Sequence, residues 1–156
     1  MDRTEGKACD LLRHARRIAD ALLSDGSALA RLHGDLHHAN VLQTDRADGP
    51  AWLATDPQGV WRDPAYEVAN LFGNSLGHPD ITHDPARSRR LADALGRALG
   101  LDPARILRCA FVHSAIAGAW SIEDGRDPPH RIGIAALIAP SRAPSATSPA
   151  SCPYAP

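Results

Sequence analysis

The sequence predicts a mainly helical α+β domain in which a small strand-and-loop insert interrupts a run of helices. Three observations predict it. Apolar residues recur at helical spacing over residues 7–23, and again around most of the helix circumference over about 103–122. Between them, two short extended runs, Val41-Leu42-Gln43-Thr44 and Trp52-Leu53-Ala54-Thr55, flank a turn containing Asp48-Gly49-Pro50. The last seventeen residues, 140–156, hold five prolines, four serines and four alanines, too little apolar surface to offset the entropy of ordering them. The domain is therefore expected over residues 1–139, with 140–156 as a disordered tail.

The elements follow in order. In the first helix Ala8, Leu11, Leu12, Ala15, Ile18, Ala19, Leu22 and Leu23 share one face, and Arg13, Arg16, Arg17 and Asp20 the other. Ser24-Asp25-Gly26-Ser27 ends it, because glycine readily takes the left-handed position just past a helix. From Arg31 to Asp63 the pattern changes to short strands and turns, the two extended runs forming a hairpin. Pro64 opens a helical stretch through Ala65, Val68, Ala69, Leu71 and Phe72, since its fixed φ suits a first helical turn. A Pro/His/Asp loop from Gly77 to Pro85 precedes a helix at about 86–99. Asp102-Pro103 gives a cap and first turn for the long helix, whose Ile106, Leu107, Ala110, Phe111, Ile116, Ala117 and Trp120 make it central and buried. After Asp124-Gly125, Ile132 to Ala139 reads as a last helix, and no internal repeat is visible.

Composition narrows the function. A chain of 156 residues is one ordinary domain, long enough to bury about two-thirds of its unfolded surface. With 44% hydrophobic and 22% charged residues it has the balance of a soluble globular protein. Seventeen basic and eighteen acidic residues leave a formal charge of −1, which points to neither nucleic acid nor an anionic membrane as partner. Lys7 is the only lysine, so chemistry that needs one has a single candidate. Cys9, Cys109 and Cys152 are scattered and odd in number, as suits a reducing compartment. Neither a signal peptide nor a bilayer-length apolar run is evident, and the expected location is the cytoplasm.

The chemistry is concentrated in the insert. His33-Gly34-Asp35-Leu36-His37-His38-Ala39-Asn40 has the form H-x-D-x-x-x-x-N, and sixteen residues beyond Asn40, after an apolar strand, comes Asp56 in Asp56-Pro57-Gln58-Gly59. This is the layout of a phosphotransferase catalytic loop followed by a metal-binding aspartate. One carboxylate must take the proton of an attacking hydroxyl. An amide oxygen and a second carboxylate must hold Mg²⁺ against phosphates, because magnesium demands hard oxygen ligands.

The runs His33 to Leu42, "HGDLHHANVL", and Ala54 to Ala69, "ATDPQGVWRDPAYEVA", resemble the aminoglycoside phosphotransferase family. The branch they are most similar to holds the streptomycin phosphotransferases and hydroxyurea-type resistance kinases. The resemblance extends from about residue 7 to 139 and includes Trp120 to Gly125, "WSIEDG". It implies the C-terminal lobe of a protein-kinase-like fold, with the hairpin insert carrying the catalytic loop. It also implies transfer of the ATP γ-phosphoryl group to a hydroxyl of a streptomycin-like aminoglycoside, giving resistance. Asp35 would be the catalytic base; Asn40 and Asp56 would bind Mg²⁺ and, through it, ATP. His33 would brace the loop, and Asp63 and Glu67 would tie the next helix to it. Glu123 and Asp124 end the long helix, where the macrodipole disfavours negative charge, and a cationic substrate would relieve that cost. An ordinary solvated Asp-Gly turn is the other reading of those two acids.

The sequence departs from the family at Arg62, where glycine is common, and at Glu67, where aspartate is frequent. It also lacks the smaller lobe with its phosphate-covering loop and lysine, since only 34 residues precede Asp35. A truncated form, weakly active or inactive alone, is the resulting expectation. Two alternatives remain open: a non-catalytic remnant lobe, and a metal-dependent phosphohydrolase built on His33, Asp35, His37 and Asp56. The histidines His33, His37 and His38 are read as solvated or structural, with a transition-metal site as the other possibility. Trp52, Trp61 and Trp120 are read as core, Arg87 to Arg90 as a solvated face, and Cys109 as a small buried hydrophobe. The partner class is a small molecule; oligomeric state is open.

Overall fold

The computed structural model describes residues 3–46, 49–74, 78–124 and 129–141, so the proline-rich tail from 142 and the tip of the hairpin at 47–48 lie outside the described residues. The first helix, α1, spans Arg3–Ser24 and starts earlier than its apolar stripe. Strands β1 (Ala30–Leu32) and β4 (Val60–Arg62) pair antiparallel, Leu32 opposite Val60, and between them lies the hairpin of β2 (Val41–Arg46) and β3 (Gly49–Ala54), Val41 opposite Ala54. The expected hairpin is thus present, nested inside a second ribbon that joins residues thirty apart.

The helical stretch from Pro64 is divided. It runs as α2 (Pro64–Glu67), then tightens after Val68 into a 3-10 turn, Ala69–Gly73. The Gly77–Pro85 loop contains a one-turn helix, α3 (Pro79–Thr82). Then come α4 (Pro85–Leu99), α5 (Pro103–Glu123) and α6 (Pro129–Ile138).

One device starts three of these helices. Asp63, Asp84 and Asp102 each precede a proline, and each carboxylate accepts the N–H two residues on, from Ala65 at 2.9 Å, Ala86 at 2.8 Å and Ala104 at 3.0 Å. Proline fills the position whose N–H has no partner, while aspartate satisfies the next orphan donor. The N–H bonds at its cap hold Asp84 below the ordinary carboxylate range.

The core is helical. Phe72, Ile106, Phe111 and Ile134 are wholly buried, α5 forming the spine against α1, α4, α6 and the 3-10 turn. Gly118 lets α6 approach, since a Cβ there would stand 2.5 Å from Ile132 Cδ1. The expectation of a buried α5 holds along Ile106 to Ala119, but fails on one edge. Ile116 and Trp120, four residues apart, face outward, with Trp120 61% exposed. Trp52 and Trp61 are 68% and 63% exposed, so all three tryptophans correct the expectation of core packing. For Trp52 and Trp61 the reason is architectural, since each stands on a two-stranded ribbon outside the helical core, whereas Trp120 lies on the outward edge of α5. Of the basic run, Arg89 and Arg90 are solvated, whereas Ser88 is buried.

Candidate active site

Residues 33–40 leave β1, turn sharply at Gly34 and enter a single 3-10 turn, His38–Asn40, that leads into β2. Gly34 has φ +88, and a Cβ there would press on Val60 Cγ2 at 3.0 Å and Gln58 Cβ at 3.1 Å. Only glycine meets both conditions.

His33 joins the loop to the segment that carries Asp56. Its ring Nε2–H donates to the Thr55 carbonyl at 2.8 Å, and its own carbonyl accepts from Gln58 N at 2.7 Å and Gly59 N at 3.2 Å. From the other side Thr55 N–H donates to the Asn40 carbonyl at 2.9 Å. Asp56 follows directly, exposed, and is the one non-glycine residue at positive φ (58°) among the described residues. Aspartate tolerates that conformation better than most side chains.

The structure therefore brings three candidates to one end of the hairpin. Asn40 Nδ2 donates to the main-chain carbonyl of Asp35 at 3.0 Å, which leaves the Asn40 side-chain oxygen for a ligand. The Asp35 carboxylate is half-buried, facing Asn70 Nδ2 at 3.4 Å and His37 Nε2 at 3.6 Å. Hard oxygen donors from Asn40 and Asp56, with no sulfur or imidazole between them, fit magnesium rather than a transition metal. Among the described residues no three His, Cys, Asp or Glu side chains gather as a metal cluster. The His33 ring is engaged by Thr55, so the histidine-rich metal site finds no support in this geometry.

Of the two supporting acids, Glu67 ties its helix to the loop, whereas Asp63 caps that helix and bonds α5 instead. Glu67 accepts the Gly34 N–H on both oxygens, at 3.2 and 3.3 Å. Asp63 caps α2 with one oxygen and receives Arg105 Nε on the other at 2.6 Å. Arg105 also grips Asp25, just beyond α1; the guanidinium holds the Asp25 carboxyl well below its usual range, and Asp25 in turn raises Arg105. One arginine thus fastens α5 to the loop after α1 and to the cap behind the site. Cys109 lies beside Asp63, and burial pushes its thiol up to about 12, which removes it as a nucleophile at neutral pH.

Glu123 and Asp124 sit exposed at the C-terminal end of α5; Gly125, which completes their motif, lies outside the described residues. Sequence reasoning passed over Asn70 and the Arg105 bridge, and it grouped His37 with Asp35 only in the phosphohydrolase alternative. The signal for Asn70 was present: a lone amide inside the apolar run Val68-Ala69-Asn70-Leu71-Phe72, three residues after Glu67.

A carboxylate, an amide and a second carboxylate at one end of a hairpin is the arrangement a phosphotransferase site would need. The family model for aminoglycoside/hydroxyurea antibiotic resistance kinases matches residues 1–125, and the chain belongs to that family. It is 37% identical over 122 residues to a streptomycin 3''-kinase of Klebsiella pneumoniae, covering 71% of this chain and 42% of the relative. It is 35% identical to a streptomycin 6-kinase of Streptomyces glaucescens, over 71% of this chain and 35% of the relative. A hydroxyurea phosphotransferase of Kitasatospora aureofaciens is 27% identical over 80% of this chain and 34% of the relative. The chain thus spans 42% or less of the length of these curated relatives. No solved structure matches it. No described helix is long and apolar enough to cross a membrane.

Proposed function

We propose that this chain is the C-terminal, kinase-like lobe of an ATP-dependent phosphotransferase whose acceptor is a hydroxyl of a streptomycin-like aminoglycoside. The observation that carries the reading is the knot of side-chain and main-chain hydrogen bonds through His33, Asn40 and Thr55, with Asp35, Asn40 and Asp56 at one end of one hairpin. Asp35 accepts the proton of the attacking hydroxyl. Asn40 and Asp56 offer the oxygens that hold Mg²⁺, which when bound neutralises charge on the ATP phosphates. Glu123 and Asp124 attract the cationic acceptor from the end of α5. A phosphate adds about −1.5 to −2 charge and weakens a polycationic drug's hold on an anionic target, which is the route to resistance. ATP as donor places the reaction in the cytoplasm.

The only lysine of this span, Lys7, is an exposed residue of α1, so binding of ATP and turnover by these 156 residues alone are expected to be weak. Calorimetric titration of the purified chain with Mg·ATP, in wild type and Asp56→Ala, is the test, together with labelled phosphate transfer to streptomycin. The reading expects binding in wild type that the variant loses, and slow transfer that Asp35→Asn abolishes. Binding indifferent to Asp56, or transfer indifferent to Asp35, would overturn it. Absence of binding in both chains would favour the remnant lobe instead.

A further inference from the structure

The segment that follows the insert grips two consecutive residues of the loop at once. Glu67 and Asn70 stand three residues apart, across the junction where α2 tightens into the 3-10 turn. Residues i and i+3 lie on one face of a helix, and they come nearest to eclipsing where the turn tightens to 3-10. The pair meets the loop in register: the Glu67 carboxylate accepts the Gly34 N–H at 3.2 and 3.3 Å, and Asn70 Nδ2 lies 3.4 Å from Asp35 Oδ1. The other oxygen of Asp35 has its own neighbour. His37 Nε2 stands 3.6 Å from Oδ2, while His37 Nδ1 accepts the Ala39 N–H at 3.2 Å. A neutral imidazole that accepts at Nδ1 carries its proton on Nε2, so the N–H faces Asp35.

We propose that Asn70 and His37 are positioning residues for Asp35, one donor for each carboxylate oxygen, with Glu67 fixing the backbone on which Asp35 stands. The assignment builds on Asp35 being the base. A carboxylate turns broadly about its Cβ–Cγ bond, and a base must hold a lone pair on the acceptor hydroxyl at the moment of attack. A donor on each oxygen sets the carboxylate plane while leaving further lone pairs free for the incoming proton. The Asn70 contact at 3.4 Å is a long hydrogen bond and the His37 ring at 3.6 Å stands just outside hydrogen-bond distance; catalytic hydrogen bonds are often this long before substrate binds. Asn40 does not duplicate this task, since its amide reaches the Asp35 carbonyl and not the carboxylate.

The experiment compares Asn70→Ala with the isosteric Asn70→Asp in phosphate transfer by the whole chain. Asn70→Ala is expected to lower kcat about tenfold with the acceptor KM unchanged, the scale of one lost hydrogen bond. Asn70→Asp should lower it further, because a carboxylate then faces a carboxylate. A packing role gives the opposite order, with the isostere the milder change, and that order overturns the proposal. If wild type transfers nothing, the functional reading has failed on its own test, and side-chain NMR of the labelled chain decides the positioning separately. On Asp35→Asn, and again on Asp35→Ala, with the backbone spectrum retained, the Asn70 NH₂ resonances should move. Those of Asn40 should stay, and His37 should show its proton on Nε2. Unmoved Asn70 resonances, or His37 protonated on Nδ1 alone, refute the assignment.

Discussion

Acid should loosen this fold through His113. The residue lies on α5 with its ring edge-on to Tyr66 at 5.7 Å and its Nδ1 3.4 Å from the Tyr66 hydroxyl. Burial keeps the ring neutral and pulls its pKa from 6.5 to about 4; the positive charge of Arg131 adds to this, and the Asp35 carboxylate opposes it. Because the folded value is the lower one, the unfolded chain binds the extra proton between the two values. The stabilising effect of a neutral His113 is therefore complete above about pH 6.5 and is lost as pH falls toward about 4. At 1.36 kcal/mol per pH unit, the gap from 6.5 to about 4 is worth about 3 kcal/mol. The assay is urea unfolding of wild type and His113→Gln across this range. His130, which burial also shifts downward, is common to both proteins and cancels in the difference. Wild type should lose about 2–3 kcal/mol more than the variant between neutral pH and the bottom of the window. Parallel curves for the two proteins would refute the reasoning.

Two further outcomes follow from the geometry around the site. Arg105→Met strips the half-buried Asp63 of its cation, a loss of about 1 kcal/mol, or roughly 2–4 °C in Tm by calorimetry, and concentrated salt should narrow the difference from wild type. At Asp56, where φ is 58°, Asp56→Gly should unfold at a higher denaturant midpoint than Asp56→Ala, which carries about 1 kcal/mol of left-handed backbone strain, although both variants lose the same carboxylate. Equal midpoints would remove strain from the account of this residue.

What could be read in the sequence was local. Asp63-Pro64, Asp84-Pro85 and Asp102-Pro103 announce helix starts because cap and proline act within three residues of themselves. The spacing from His33 to Asn40 and on to Asp56 was legible because one hairpin holds it. Strands β1 and β4 were not: three residues each carry almost no pattern, and Arg31 finds Trp61 only through the fold. Nor could periodicity tell what covers an apolar face. It gave Trp120 a helical row, and the chain turned that edge of α5 outward. The Arg105 bridge to Asp25 spans eighty residues, beyond any local signal.

The same division runs through the protein's physics. No strand residue belongs to the hydrophobic core among the described residues; that core is built wholly from the helices and the 3-10 turn. The insert, held together by the backbone bonds of its two short ribbons, is tied to the helical body by polar contacts, Glu67 to Gly34 and Asn70 to Asp35. Burial of apolar area is blunt and tolerant of small shifts, whereas hydrogen bonds weaken steeply with distance and angle. Phe111→Ala, removing a wholly buried ring, acts on whether the body folds; removing Asn70 acts on where a carboxylate points. A site that must orient a proton acceptor to within a fraction of an ångström is better served by the second kind of interaction. That is why the residues that matter most to the proposed chemistry are among those that contribute least to the core.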